Sequence, residues 1–229
     1  MTTKEFFNQL DDRVAKYDLL CHPFYKAWSA GELTREDLRE YARDYFPHVE
    51  AFPSYLEEFG SRLQDDQLRR VVFVNRDDEM GLDEGSRPHA ELWLDFVEGM
   101  GGERKASEQV PPAEVERLVE SFHSVARRGT PAETLAAFYA YESQVPRVAA
   151  EKARGLREMY DADEKTCGYF TLHTTADLYH SRTWRHQLGK LVESNPEAAD
   201  KALDAAENAA KALWNALDGI ESARFARAA

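Results

Sequence analysis

The stretch YFTLHTTADLYHSRTWRH, residues 169–186, sets the reading of the whole chain. On a helical wheel at ~100° per residue with His173 at zero, Asp177 falls near ~40° and His180 near ~−20°. Tyr169, Trp184 and Leu191 fall within about 40° of the same line. Thr171, Thr175, Leu178, Arg182 and Arg185 occupy the opposite side, the natural solvent face. The aromatic residues mark an inward face, and His173, Asp177 and His180 sit on it. Buried histidine and aspartate are costly unless they are paired or hold a metal. Positions i, i+4 and i+7 stack above one another on a helix, so the three side chains can converge. A satisfied core histidine is the plain alternative for any one of them. Three on one line point to a metal or to catalysis.

The rest of the chain also reads as helix. Residues 2–18 form a first helix, and HPFYKAW, 22–28, a short one starting at Pro23. Thr34 with Asp37 resembles a capping box and opens a long helix. Its stripe carries Leu38, Tyr41, Tyr45, His48, Phe52 and Phe59, and Pro47 and Pro53 are expected to kink it. Further helices are expected over 65–80, from Pro88 to about Met100, and over 113–127, 131–159, 164–192 and 196–225. GMGGERKASEQVPP, 99–112, reads as a surface loop. There is no useful alternating run, internal repeat, linker or second core. One all-α domain over residues 1–229 is the economical expectation.

Composition narrows the function. A net charge of −13 argues against binding a phosphate backbone, so no nucleic-acid partner is expected. No run approaches ~18 apolar residues, so no membrane span is expected. MTTKEFFNQLDDRV lacks a signal-peptide pattern. Cys21 and Cys167 are too few for a disulfide framework and fit a reduced compartment. The expectation is a soluble, cytoplasmic protein.

The inward trio needs partners. Glu142 lies at the centre of the stripe Leu135, Phe138, Val145, Ala149, Ala153 and Leu156, with Glu133, Gln144, Arg147, Glu151 and Arg154 on the solvent side. Pro146 removes the N–H that would bond the Glu142 carbonyl, which loosens the helix at the acid. Helix distortions often accompany functional sites, although a buried salt bridge would also explain this acid. The stripe of Leu92, Trp93, Phe96, Val97 and Met100 extends back to His89, and Leu68 and Val72 lead through Asn75 to Glu79. Either alone reads as an ordinary helix-terminal residue, and Asp77, Asp78, Asp83 and Glu84 crowd Glu79. Together, Glu79, His89, Glu142, His173, Asp177 and His180 make three imidazoles and three carboxylates. Such a mixture suits iron and manganese. Two divalent ions would nearly neutralise it, which makes burial tolerable.

Three segments carry a family resemblance: HPFYKAWSAGELTREDLREYARDYFPHVEAFPSYL (22–56), YESQVPRVAAEKARGL (141–156) and YFTLHTTADLYH (169–180). They closely resemble the chlamydial protein associating with death domains and its bacterial relatives. That family belongs to the haem-oxygenase-like dimetal oxidases, with PqqC and TenA as distant fold relatives. The resemblance implies a haem-oxygenase-like bundle of about seven to eight helices, usually a homodimer. It implies two transition-metal ions, iron with iron or iron with manganese, on the six residues above, with dioxygen and an external electron donor. It also implies para-aminobenzoate formation for folate synthesis from the protein's own side chains, the ring from Tyr25 and the nitrogen from Lys152, with Tyr41 near the site. On the residues alone, Tyr25 is a core tyrosine with a bonded hydroxyl. Lys152 lies ten residues past Glu142, roughly 15 Å along an ideal helix. Alone it reads as a stripe-edge lysine that snorkels. A dimetal oxygenase acting on an external small molecule and a non-catalytic interaction module stay open. Death-domain binding belongs to the chlamydial relative and has no support in these residues.

Overall fold

The computed structural model describes residues 1–104 and 110–228. The middle of the expected 99–112 loop lies outside the described residues. The described chain is built from α1 (Thr3–Ala15), α2 (Pro23–Ala30), α3 (Arg35–Arg62), α4 (Asp66–Glu79), α5 (His89–Gly99), α6 (Ala113–Arg128), α7 (Pro131–Glu142), α8 (Val145–Tyr160), α9 (Gly168–His173), α10 (Ala176–Ser194) and α11 (Ala199–Ala228). It contains no strand among the described residues. None of these helices is long and apolar enough to cross a membrane.

Local chemistry sets most of the boundaries. Thr34 and Asp37 form the expected reciprocal cap of α3, and Thr2–Glu5 and Thr130–Glu133 do the same for α1 and α7. Proline stands at the start of α2 and α7, where its missing N–H has no helical partner to lose. Helix α3 runs unbroken through Pro47 and Pro53. It is the spine of the fold, with α4, α5 and α6 packed along it, while α11 packs on α7, α6 and α1. Leu38, Tyr41, His48, Phe52 and Phe59 are buried on the inward face of α3, as the stripe requires.

The nine helices read from the sequence become eleven among the described residues, because two of them are each broken in two, and the count exceeds the seven or eight that the resemblance implied. The helix expected over 131–159 stops at Glu142 and restarts at Val145 as α8, with Pro146 in its first turn. The missing Pro146 N–H leaves the Glu142 carbonyl free and favours the break. This break also turns Gln144 inward, where Leu19 N–H donates to its carbonyl, so its expected solvent position is wrong. The helix expected over 164–192 breaks at Thr174–Thr175. Both threonine hydroxyls bond carbonyls three residues back and compete with the helical ladder. Helix α8 meets α2 closely at Gly155, where a Cβ would stand 2.8 Å from the Trp28 ring. Only glycine permits that approach, and it brings Lys152 beneath the helix of Tyr25.

Candidate metal centre

Helix ends deliver the six sequence-predicted ligand residues. Glu79 ends α4, His89 begins α5, Glu142 ends α7, His173 ends α9, and Asp177 and His180 lie in the first turns of α10. All six are buried, none more than 5% exposed. They form two groups in which ligand atoms lie within 4.8 Å of one another: Glu79, His89 and His173, and Glu79, Glu142, Asp177 and His180. Glu79 is common to both. The α9–α10 break therefore divides the trio that an unbroken helix would have kept on one line, sending His173 to one group and Asp177 with His180 to the other.

The contacts within the cluster are those of converging donors. His89 Nδ1 lies 2.7 Å from Glu79 Oε2, yet this nitrogen is buried and makes no hydrogen bond of acceptable geometry. Its ring meets that of His173 at 4.6 Å. His173 Nδ1 donates to the Tyr169 carbonyl at 2.7 Å, which leaves Nε2 as the lone-pair nitrogen. His180 Nδ1 lies 3.3 Å from Asp177 and 3.9 Å from Glu142. Glu142 accepts from Asn75 Nδ2 at 3.0 Å and from Trp184 Nε1.

Electrostatics agree with this geometry. Burial raises the Glu142 carboxyl above the ordinary range, with Asp177 adding to the effect and His180 opposing it. Burial would lower His180, but Asp177, Asp78 and Glu142 outweigh it and raise the group to about 11. Burial also opposes ionisation of Glu79, but His89 outweighs it and holds that carboxyl low. Burial keeps His173 neutral. The cluster thus keeps protons on its members to balance surplus carboxylate charge. A metal cation would replace those protons, since ligands bind deprotonated. An orphaned buried imidazole nitrogen and a purely imidazole and carboxylate donor set fit iron or manganese. Because Glu79 belongs to both groups, Glu79→Gln is expected to remove both ions. His89→Ala is expected to spare the ion of the Glu142 group. Elemental analysis after anaerobic reconstitution with iron and manganese reads the difference; equal metal loss in the two variants would contradict the shared role of Glu79.

A second cluster adjoins the first. Lys152 is buried, and its Nζ donates to the Tyr41 hydroxyl at 2.5 Å. The Tyr41 and Tyr25 hydroxyls lie 3.0 Å apart. Lys152 Nζ stands 4.3 Å from the Tyr25 ring centre and 4.7 Å from that of Tyr41. The snorkelling position is therefore wrong, because the α8–α2 contact closes over the stem. Burial alone lowers the Lys152 ammonium well below its ordinary value, and no carboxylate contributes to that shift. Burial raises the Tyr25 and Tyr41 hydroxyls, so both keep their protons. Tyr25, Lys152, Tyr45, Tyr141 and Tyr169 line a cavity of about 30 Å³. Tyr169 is the link between clusters: its ring stacks on His173 at 4.0 Å and meets Trp93 at 4.8 Å.

The sequence model of a family described as iron-containing redox enzyme matches residues 39–214. The chain belongs to the iron-containing redox enzyme family. Within it, the chain is 37% identical over 217 residues to the 4-aminobenzoate synthase of Chlamydia trachomatis, covering 94% of this chain and 91% of that protein. The 4-aminobenzoate synthase of Nitrosomonas europaea is 36% identical over 231 residues, covering 96% and 92%. A TenA homolog from Pseudomonas syringae superposes with a TM-score of 0.79 at 18% identity, covering 96% of this chain and 92% of its own. A CADD-like protein from Nostoc punctiforme gives 0.75 at 17%, covering 95% and 98%. The haem-oxygenase-like fold is thus shared, and this member of the iron-containing redox enzyme family is an oxidase or oxygenase.

Three supporting residues were not identified from the sequence. Asn75 sits one turn before Glu79 on the same stripe, and Trp184 one turn after His180. Their spacing marks them as inward without revealing that both bond Glu142. Asp78 bonds His180 Nε2 at 3.1 Å. Nothing local separates it from the neighbouring acids.

Proposed function

We propose that the chain forms para-aminobenzoate for folate synthesis by consuming its own side chains, Tyr25 supplying the ring and Lys152 the nitrogen. The observation that carries this reading is the buried, unpaired Lys152 amine held against the ring of Tyr25. An uncharged amine is a nucleophile, whereas an ammonium is not. Tyr41 accepts from Lys152 and hydrogen-bonds Tyr25, so it can pass a proton between them. The adjoining 30 Å³ cavity has room for a molecule the size of water, and ordinary ligand pockets need ~300 Å³ or more. So small a cavity favours a ring already in the chain over an aromatic substrate from outside. Glu79, His89, Glu142, His173, Asp177 and His180 would hold two ions, iron with iron or iron with manganese. Bound there, the metals would supply the capacity to activate dioxygen, with electrons from an external reductant. The names of the 4-aminobenzoate synthase relatives support the same product.

A second reading, oxygenation of an external small molecule, draws on a pocket of about 470 Å³ whose wall includes His89 and His180. Intact-protein mass spectrometry separates the two. After reaction with metal, reductant and oxygen, the self-consuming reading expects the chain itself to lose mass, with at most one product per chain. An unchanged chain mass with repeated product from an added compound would overturn it in favour of the external substrate.

A further inference from the structure

His180 is the one candidate ligand with a carboxylate at each ring nitrogen. Its Nδ1 faces Asp177 at 3.3 Å and Glu142 at 3.9 Å, inside the cluster. Its Nε2 faces Asp78 Oδ2 at 3.1 Å, on the opposite side. Asp78 contributes no atom to either group of converging donors. Its side chain is 32% exposed and lies on the wall of the 470 Å³ surface pocket beside His89 and Tyr179. An imidazole can offer a metal only the nitrogen that carries no proton. His173 meets this need through a backbone carbonyl at its Nδ1, which no side-chain substitution alters. His180 has no backbone partner at Nε2, so the choice between its two nitrogens falls to Asp78.

We propose that Asp78 is a positioning residue: by accepting the Nε2–H of His180, it aims the Nδ1 lone pair at the Glu142–Asp177 end of the cluster. The two histidines are thereby held in opposite proton arrangements, His173 giving Nε2 and His180 giving Nδ1. A carboxylate behind a ligating histidine fixes ring orientation and raises ligand basicity. This proposal rests on the metal-centre reading above, and its test keeps the two separable. An amide at position 78 can turn its NH₂ toward Nε2, which favours the Nδ1–H form and withdraws the donor, as an amide does behind a catalytic histidine.

The test titrates the metal-free protein anaerobically with manganese(II) alone, reading free ion by its paramagnetic resonance. Wild type is expected to take up two ions. Asp78→Asn is expected to keep the ion of the Glu79–His89–His173 group and weaken the other by ~10–100-fold. Asp78→Glu, which restores an acceptor, is expected to recover most of that loss. Two unchanged affinities in Asp78→Asn overturn the proposal. So does equal loss of both ions in Asp78→Asn and Asp78→Glu, which would mark a merely structural acid. A folded wild type that binds no manganese overturns the metal-centre reading, and this proposal with it.

Discussion

Tyr25→Phe is expected to abolish product while leaving both metals bound. Phenylalanine keeps the ring and its packing on Trp28 and Phe24, but removes the hydroxyl that bonds Tyr41 at 3.0 Å. Tyrosine is not among the six candidate ligands, so metal content is the internal control. Loss of one buried hydrogen bond costs stability on the order of 1 kcal/mol, too little to unfold the chain. Ring-labelled tyrosine built into the wild-type protein should appear in the product, at no more than one equivalent per chain. Wild-type product levels from Tyr25→Phe, or unlabelled product from labelled protein, would refute the assignment of Tyr25 as the ring source.

Lys152→Met is expected to end product formation and yet stabilise the fold. The amine sits among aromatic rings with one hydrogen bond and no carboxylate partner. Relieving such a buried polar group contributes roughly 1–3 kcal/mol. At this chain length that corresponds to a rise in Tm of roughly 2–12 °C. The pH dependence gives a second signature. Burial depresses the folded-state Lys152 value, while the unfolded chain keeps about 10.4. Between those two values the unfolded chain binds the extra proton, so wild-type stability from this group rises with pH and is complete above about 10.4. The gap between Lys152→Met and wild type should therefore narrow as the solution is made alkaline. Thermal melts at several pH values check this; a variant less stable than wild type throughout would show that Lys152 is charged and paired. Lys152→Arg should also stop product, because a guanidinium keeps its charge and is a poor amine donor.

The helix count and Lys152 show where one-dimensional reading loses its grip. The wheel through residues 169–186 treated His173, Asp177 and His180 as one line, and all three are buried. It did not show that two threonine hydroxyls would cut the helix between the first and the second. Pro146 was visible as a loosening of the backbone at Glu142. That it ends the helix there depends on α8 finding its own packing against α2.

Amphipathic periodicity is a local property, so the chain by itself determined most of the helices and inward faces and the cap of α3, but neither the two helix breaks nor the inward turn of Gln144. It also placed His89, Glu142, His173, Asp177 and His180 on those faces, since each interrupts an apolar stripe where burial is already implied. Only the tertiary structure decided which acid near residue 79 turns inward, because Asp77, Asp78 and Glu79 differ by one step of a helix end. It alone decided that Glu79 is shared by two donor groups, that Asp78 backs His180, and that Lys152 is buried against Tyr25 and Tyr41. These outcomes depend on how closely distant segments approach, 102 residues apart for Asp78 and His180 and 111 for Tyr41 and Lys152. Hydrophobic patterning states which face goes inside, but it does not encode which inward residues meet.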